Sequence, residues 1–223
     1  MSPKRPKHAK NALPTSDFAR DRRLGIQSCG IREWSEFTTD YNRCEPTPYR
    51  ALDDLFEHYH GLPNPHLVDY GCGRGRVLFY CHQRWGWRGT GVECHEDTLI
   101  EALENLERYR HKRQRRGRVL QDEIGFEACP AEHRPVHKDE NIFYFFNPFS
   151  VAIFQQVLDQ IHWSLAEHER PIDLLLYYPL NSYRQALRLD RHFDLAWELP
   201  LDWGEEARYD RFLLYQHRPA CGS

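Results

Sequence analysis

Three glycines fall at alternate positions in VDYGCGRGRV, Val68 to Val77, directly after a short apolar run. Glycine permits backbone angles closed to other residues and removes the Cβ that blocks a ligand's approach, so the stretch reads either as a ligand loop or as a tight turn. The ligand chemistry is narrowed by what is present and what is missing. No G-K-[ST] follows, which excludes a phosphate loop of the nucleotide triphosphatase kind. A dinucleotide site calls for G-x-G-x-x-G, whereas Gly71, Gly73 and Gly75 are spaced G-x-G-x-G. Asp69 stands just ahead of the glycines, where a carboxylate repels a pyrophosphate and suits an ammonium group. Glu93, at the end of the next apolar run, is placed to accept hydrogen bonds from both hydroxyls of a ribose. A nucleoside with a cationic amino-acid arm and no phosphate satisfies both carboxylates.

These residues need a strand before the glycines and a helix after them. HLVDY (66–70) reads as that strand, with a helix around 75–84, then strand RGTGVE and a helix around 97–112. In the latter helix Leu99, Leu103 and Leu106 share a face, and Glu104 and Arg108 are spaced to pair. IGFEAC is a weaker strand candidate and NIFYFF a strong one. A helix beginning at Ser150 follows, its apolar face running Val151, Phe154, Leu158, Ile161 and Leu165. PIDLLLYY is a further strand, and SYRQALRL a short helix. Continuous apolar runs between helices imply strands buried on both faces, hence a parallel sheet in an α/β layer fold. FDLAWELPL and ARYDRFLLYQHR are joined by a short Asp-Trp-Gly-Glu-Glu loop without a helix, which predicts a C-terminal antiparallel hairpin. Upstream, EPTPYRALDDLFEHYH predicts a helix with Leu52, Leu55, Phe56 and Tyr59 on one side.

The 223 residues suit one domain, and the net charge of −3 exerts no global pull toward nucleic acid or anionic lipid. The boundaries read as a disordered basic tail over 1–16 and a single domain over 17–220. Residues 17–60 of that domain form an N-terminal helical cap, and 61–220 form the core. No apolar stretch is long enough to span a bilayer. Seven cysteines without a C-x-x-C pair favour free thiols in a reducing cytoplasm. Cys81-His82 and Cys94-His95 lack a second ligand pair at zinc-like spacing, so no metal is expected. RYRHKRQRRGR, Arg108 to Arg118, could track a phosphate backbone, but cations at a helix C-terminus are the cheaper explanation.

With the glycine loop, Glu93 and the hairpin in place, the sequence from about Tyr41 to Arg218 resembles the class I S-adenosylmethionine-dependent methyltransferases. Within that superfamily it resembles small bacterial members of unassigned substrate, which share E-P-T-P-Y and F-F-N-P-F segments. The resemblance implies a Rossmann-like fold, a mostly parallel seven-stranded sheet ending in the antiparallel hairpin, with helices on both faces. It implies S-adenosyl-L-methionine as cofactor and S-adenosyl-L-homocysteine as product. Asp69 would hold the methionine amino end, and Gly71, Cys72, Gly73 and Gly75 would form the cofactor loop. Glu93 would take the ribose, and Ala131 and Glu132 of CPAE would lie against the adenine. Thr47 and Tyr49 would close over the cofactor, or would simply begin a helix.

In members acting on amino groups, a [DNS]-P-P-[YFW] turn orients the target nitrogen and stacks on its planar carrier. Asn147, Pro148 and Phe149 resemble it, with one proline rather than two, so they are the candidate catalytic residues, Asn147 also bordering the cofactor. The alternative is a turn in which Asn-Pro ends a strand and Ser150 caps a helix. Tyr177 and Tyr178 are expected at the pocket wall. The implied activity is methyl transfer to a nitrogen or oxygen acceptor of a small molecule, protein or RNA. The alternative is a protein that binds the cofactor without turnover, or an RNA-binding accessory subunit.

Overall fold

Alternating short apolar runs and amphipathic segments fold as the pattern predicts, one strand and one helix at a time. The structure is a computed structural model and describes residues 16–33, 40–117, 123–201, 203 and 210–219. Most of the expected basic tail, with Trp34, Phe37, Arg118 and most of the hairpin loop, lies outside these residues. In chain order the elements are α1 (Asp17–Leu24), α2 (Tyr49–His58), β1 (His66–Tyr70), α3 (Arg76–Trp85), β2 (Arg88–Glu93), α4 (Glu96–Gln114) and β3 (Ile124–Ala128). After a 3-10 turn (Ala131–His133) come β4 (Ile142–Phe145), α5 (Val151–Glu167), β5 (Ile172–Tyr177), α6 (Asn181–Leu189), β6 (Asp194–Pro200) and β7 (Arg211–His217).

The seven strands form one sheet in the order β3-β2-β1-β4-β5-β7-β6. The first five strands are parallel, with Leu67 opposite both Gly89 and Ile142. The last two are antiparallel, β7 inserting between β5 and β6. Period-two alternation sends successive side chains to opposite cores. Leu67, Ile142, Tyr144, Leu175 and Phe212 join the cluster under α2, α3 and α4. Val68, Phe143, Phe145, Leu174 and Leu213 join the one under α5 and α6. The direction of chain progression reverses between β1 and β4, and such a switch point opens a crevice at the carboxyl ends of the two strands.

One helix face departs from expectation. The buried stripe of α4 is Thr98, Ala102, Asn105, Leu106 and Tyr109, whereas Leu103 is 43% exposed. The partner explains the rotation. The Asn105 carboxamide accepts from the Gln27 backbone N–H and donates to the Gln27 and Arg74 carbonyls, so this face must carry hydrogen-bonding groups rather than leucines. Ser150 does precede α5, but its hydroxyl makes no capping bond and is buried without a partner among the described residues. Arg108 and Glu104 pair at 2.7 Å as spaced. No helix among the described residues is long and apolar enough to cross a membrane.

Candidate functional site

Two adjoining cavities, one larger than the other, open at the carboxyl ends of β1, β2 and β4, and both are lined by Cys44, Glu45, Gly71 and Phe146. The larger cavity is bounded by Glu93, Cys94 and His95 after β2, Cys129 and Ala131 after β3, and Pro148 after β4. The smaller holds Asp69, Cys72, Gly73 and Arg76 below Ser28 and Thr47.

The glycine loop is tied to its neighbours through backbone groups. Gly71 and Cys72 donate N–H bonds to the Val92 carbonyl, and the Gly73 N–H donates to Glu93 Oε2 at 3.0 Å. Gly71 has φ +70°, and a Cβ there would lie 2.5 Å from Pro148 Cβ, so only glycine lets the β1 and β4 loops meet. Gly75 differs from expectation. It sits at the start of α3, outside both cavities, where a Cβ would strike Phe126 at 2.7 Å; it serves helix–strand packing.

Electrostatically the site is short of positive charge at one point. Asp69 is 4% exposed and lies on the strand face covered by α3. Its carboxylate makes no hydrogen bond among the described residues. Burial, and the nearby Glu93, push its pKa well above the ordinary 3.8. Burial also raises Glu93, opposed by bonds from the His95 and Gly73 backbone N–H groups. A buried carboxylate without a partner is costly unless a cation completes it. Arg76 does not do so. It is committed to Ser28 Oγ, the Thr47 carbonyl and Asp17, which fasten the N-terminal cap over the smaller cavity. Among the described residues no group of three or more His, Cys, Asp or Glu side chains could hold a metal ion.

The structure brings Thr47, Asp69, Gly71, Cys72, Gly73, Glu93, Ala131, Pro148 and Phe149 to the cavities, and separates others, Asn147 among them, from their walls. Tyr49 is a core residue, 1% exposed, with its hydroxyl donating to Asp21 at 2.7 Å. It begins α2 with its ring turned inward, and only Thr47, bonded to Tyr144 Oη at 2.8 Å, lines a cavity. Glu132 has its carboxylate on the Tyr41 hydroxyl at 3.0 Å, leaving Ala131 and Cys129 at the wall. Phe149 lines the larger cavity, but its ring packs edge-on against Tyr70 and Phe145 with 1% exposure, beside an isolated bridge to Tyr41. Phe146, half-buried against Tyr177, is the aromatic that lines both cavities. Tyr177 and Tyr178 line neither; the Tyr177 hydroxyl is spent on Asp210. The basic end of α4 lies toward the amino ends of the strands, away from the cavities, since that helix returns the chain to the start of β3.

A strap over residues 40–47 closes the larger cavity, a feature the sequence reading missed. Arg32 and Cys44, and Tyr41 and Phe149, form isolated bridges. The Asn42 N–H donates to the Pro148 carbonyl at 3.0 Å, and its carboxamide donates to the Asn147 carbonyl at 2.7 Å and to Asn147 Oδ1 at 3.2 Å. Tyr41, Asn42 and Cys44 thus join the site. Their only local signal is position, immediately ahead of EPTPY.

No protein-family model matches the chain, and no curated protein matches it in sequence. Solved structures do match in fold. An RNA methyltransferase from Salinibacter ruber, in complex with S-adenosyl-L-homocysteine, superposes with a TM-score of 0.53 at 16% identity, over 79% of this chain and 96% of that one. A TehB-like SAM-dependent methyltransferase from Corynebacterium glutamicum gives 0.50 at 10% identity over 75% and 86%. A geranyl diphosphate C-methyltransferase from Streptomyces coelicolor, in complex with Mg2+, geranyl diphosphate and S-adenosyl-L-homocysteine, gives 0.50 at 12% identity over 77% of each chain. The chain has the Rossmann-like fold of the class I S-adenosylmethionine-dependent methyltransferases.

Proposed function

We propose that this chain is an S-adenosylmethionine-dependent methyltransferase acting on a nitrogen or oxygen acceptor. The observation that carries the reading is Asp69, a buried carboxylate without a partner beside Glu93 at the switch point of the sheet. That pair calls for a ligand with a cationic amino-acid end and a ribose, and the solved neighbours of the same fold that bind S-adenosyl-L-homocysteine carry both. When bound, the cofactor supplies a methyl group on a sulfonium, and no metal is needed for its transfer.

The residues present fit that group. Asp69 holds the ammonium in the smaller cavity. Glu93, kept in place by the Gly73 and His95 N–H groups, accepts from the ribose hydroxyls. Cys129, Ala131 and His95 wall the base, and the strap excludes water from above. The protein's contribution to rate is alignment within a cavity that limits water. The acceptors of its fold neighbours range from RNA to a prenyl diphosphate, and fold alone does not choose among them. The six described cysteines are all free, which suits a reducing compartment such as the cytoplasm.

A second reading, cofactor binding without turnover, draws support from one observation: Asn42 already bonds both acceptor atoms of Asn147. The experiment is a calorimetric titration with S-adenosylhomocysteine, paired with transfer of label from the cofactor into fractionated extract. Micromolar or tighter binding and a labelled fraction are expected. Absence of binding overturns the assignment, and binding without any labelled fraction favours the second reading.

A further inference from the structure

We infer that the C-terminal ends of α1 and α4 together form a binding surface for single-stranded RNA, which they grip by its phosphate chain. The inference goes beyond the methyl-transfer reading and stands without it. In the sequence only the α4 half is visible, as the basic run from Arg108. Folding adds the other half. Gly25, the C-cap of α1 at φ +88°, packs so closely on α4 that a Cβ there would lie 2.8 Å from Lys112 Cδ, and Lys112 Nζ donates to the Arg22 carbonyl. The Asn105 carboxamide fastens Gln27 to the same helix. Arg22 and Arg23 are thereby held beside the α4 end that carries Lys112, Arg113, Arg115 and Arg116. None of the six has a carboxylate partner among the described residues.

Helix poles do not account for so much charge. Each C-terminus carries about half a negative charge, so two ends offset about one cation of the six. Carboxylates of the same helices are committed elsewhere: Asp17 to Arg76, Asp21 to Ser28 and Tyr49, Glu104 to Arg108 and Glu107 to Arg110. Burial, and then the neighbouring Arg116 guanidinium, hold the Lys112 ammonium below its ordinary 10.5. On a chain of net charge −3, this local excess is a seat for an anion from outside. A small anion meets one or two of the cations, and a polyanion meets them all. The surface is about 28 Å along the 19-residue α4 from His95 at the larger cavity. A bilayer seated on it leaves that cavity opening away from the membrane, whereas a phosphate chain can run from one to the other. A single strand bends to follow cations from one helix end to the next, which duplex DNA, stiff over about 150 base pairs, does not. Cellular DNA is duplex, so the flexible phosphate chain that fits is RNA.

The test is fluorescence anisotropy of a short labelled single-stranded RNA of mixed sequence, titrated with the full chain from low to physiological salt. Two double variants are compared with wild type, Arg22→Gln with Arg23→Gln and Arg115→Gln with Arg116→Gln. Each should make the slope of log affinity against log salt shallower by about 1.4, at about 0.7 per phosphate, and weaken binding about fivefold or more. Calorimetry should show S-adenosylhomocysteine affinity within about twofold of wild type, because neither pair lines a cavity. Wild type without salt-sensitive RNA binding overturns the inference. So does an Arg22 and Arg23 variant without effect, which leaves α1 out of the surface. Equal or tighter binding of the duplex of the same sequence, or of phosphatidylserine vesicles at equal phosphate, overturns it as well. Should a variant fail to fold, arginine modification of wild type read by mass spectrometry decides. RNA must then shield Arg22, Arg23, Arg115 and Arg116 and leave Arg188, exposed on α6, reactive. Wild type that binds RNA in this way but no S-adenosylhomocysteine removes the methyl-transfer reading and leaves this surface standing.

Discussion

Asp69 is held in a state the unliganded protein does not favour, and this makes its protonation readable. Burial raises its pKa in the folded chain above the ordinary 3.8, so the native state binds a proton more tightly than the unfolded one. Its effect on stability is therefore present at low pH and is lost as pH rises through the raised pKa. Asp69→Asn should remove that loss and stabilise the unliganded protein at neutral pH by about 1–3 kcal/mol in urea unfolding. The same variant should bind S-adenosylhomocysteine more weakly. Wild-type affinity should climb by up to about tenfold per pH unit until the raised pKa is passed, because the ammonium needs the carboxylate. Asp69→Asn should show a flat profile over that window, and a retained slope would place the titrating group elsewhere. Glu93 is more constrained, since it also accepts from two backbone N–H groups. Glu93→Gln keeps the shape and removes the charge. Calorimetry should show a loss of about 1.5–3 kcal/mol, ten- to a hundredfold, with the fold intact by circular dichroism.

At the scale of elements, the site depends on two loops that touch at one glycine. Gly71→Ala meets two obstacles, a φ of +70° and a Cβ 2.5 Å from Pro148 Cβ, the second of which displaces the turn carrying Asn147. Gly86→Ala is the internal control, because its φ is +69° but nothing lies within 4 Å of the added Cβ. Both should lose about 1–2 kcal/mol of stability through backbone conformation. Only Gly71→Ala should weaken S-adenosylhomocysteine binding, by tenfold or more. Equal binding by the two variants would mean that the contact between the β1 and β4 loops does not shape the cavity.

For the whole molecule, the ligand connects elements that the chain alone holds apart. Glu93 belongs to β2, Asp69 to β1, Ala131 follows β3, and the strap lies over them. A ligand bridging all of these stabilises the native state by mass action, about 2.7 kcal/mol at a hundred times its dissociation constant. For a domain of this size that corresponds to a rise in Tm of about 5–10 °C. Differential scanning fluorimetry with S-adenosylhomocysteine and, as control, adenosine should show the full shift only with the former. Equal shifts would mean that Asp69 takes no part in binding.

Local pattern determined most of the architecture. Period-two and period-3.6 apolar spacing is written in adjacent residues, so β1 and β2 begin and end where HLVDY and RGTGVE do, and the final hairpin follows from the missing helix. Asp69, Gly71, Gly73 and Glu93 were legible for the same reason: each sits at or just after a strand end whose position the pattern sets. What the neighbours of a residue decide was not legible. Leu103 has the right period for the α4 core, yet the polar segment against that helix selects Asn105 instead. Phe149 looked like the pocket aromatic, and it does reach the larger cavity, but its ring is almost wholly buried while Phe146 lines both cavities. The bond between Asn42 and Asn147 spans 105 positions. No spacing rule reaches that far, because such a contact depends on how the cap lies across the finished sheet and not on either residue's own surroundings in the chain.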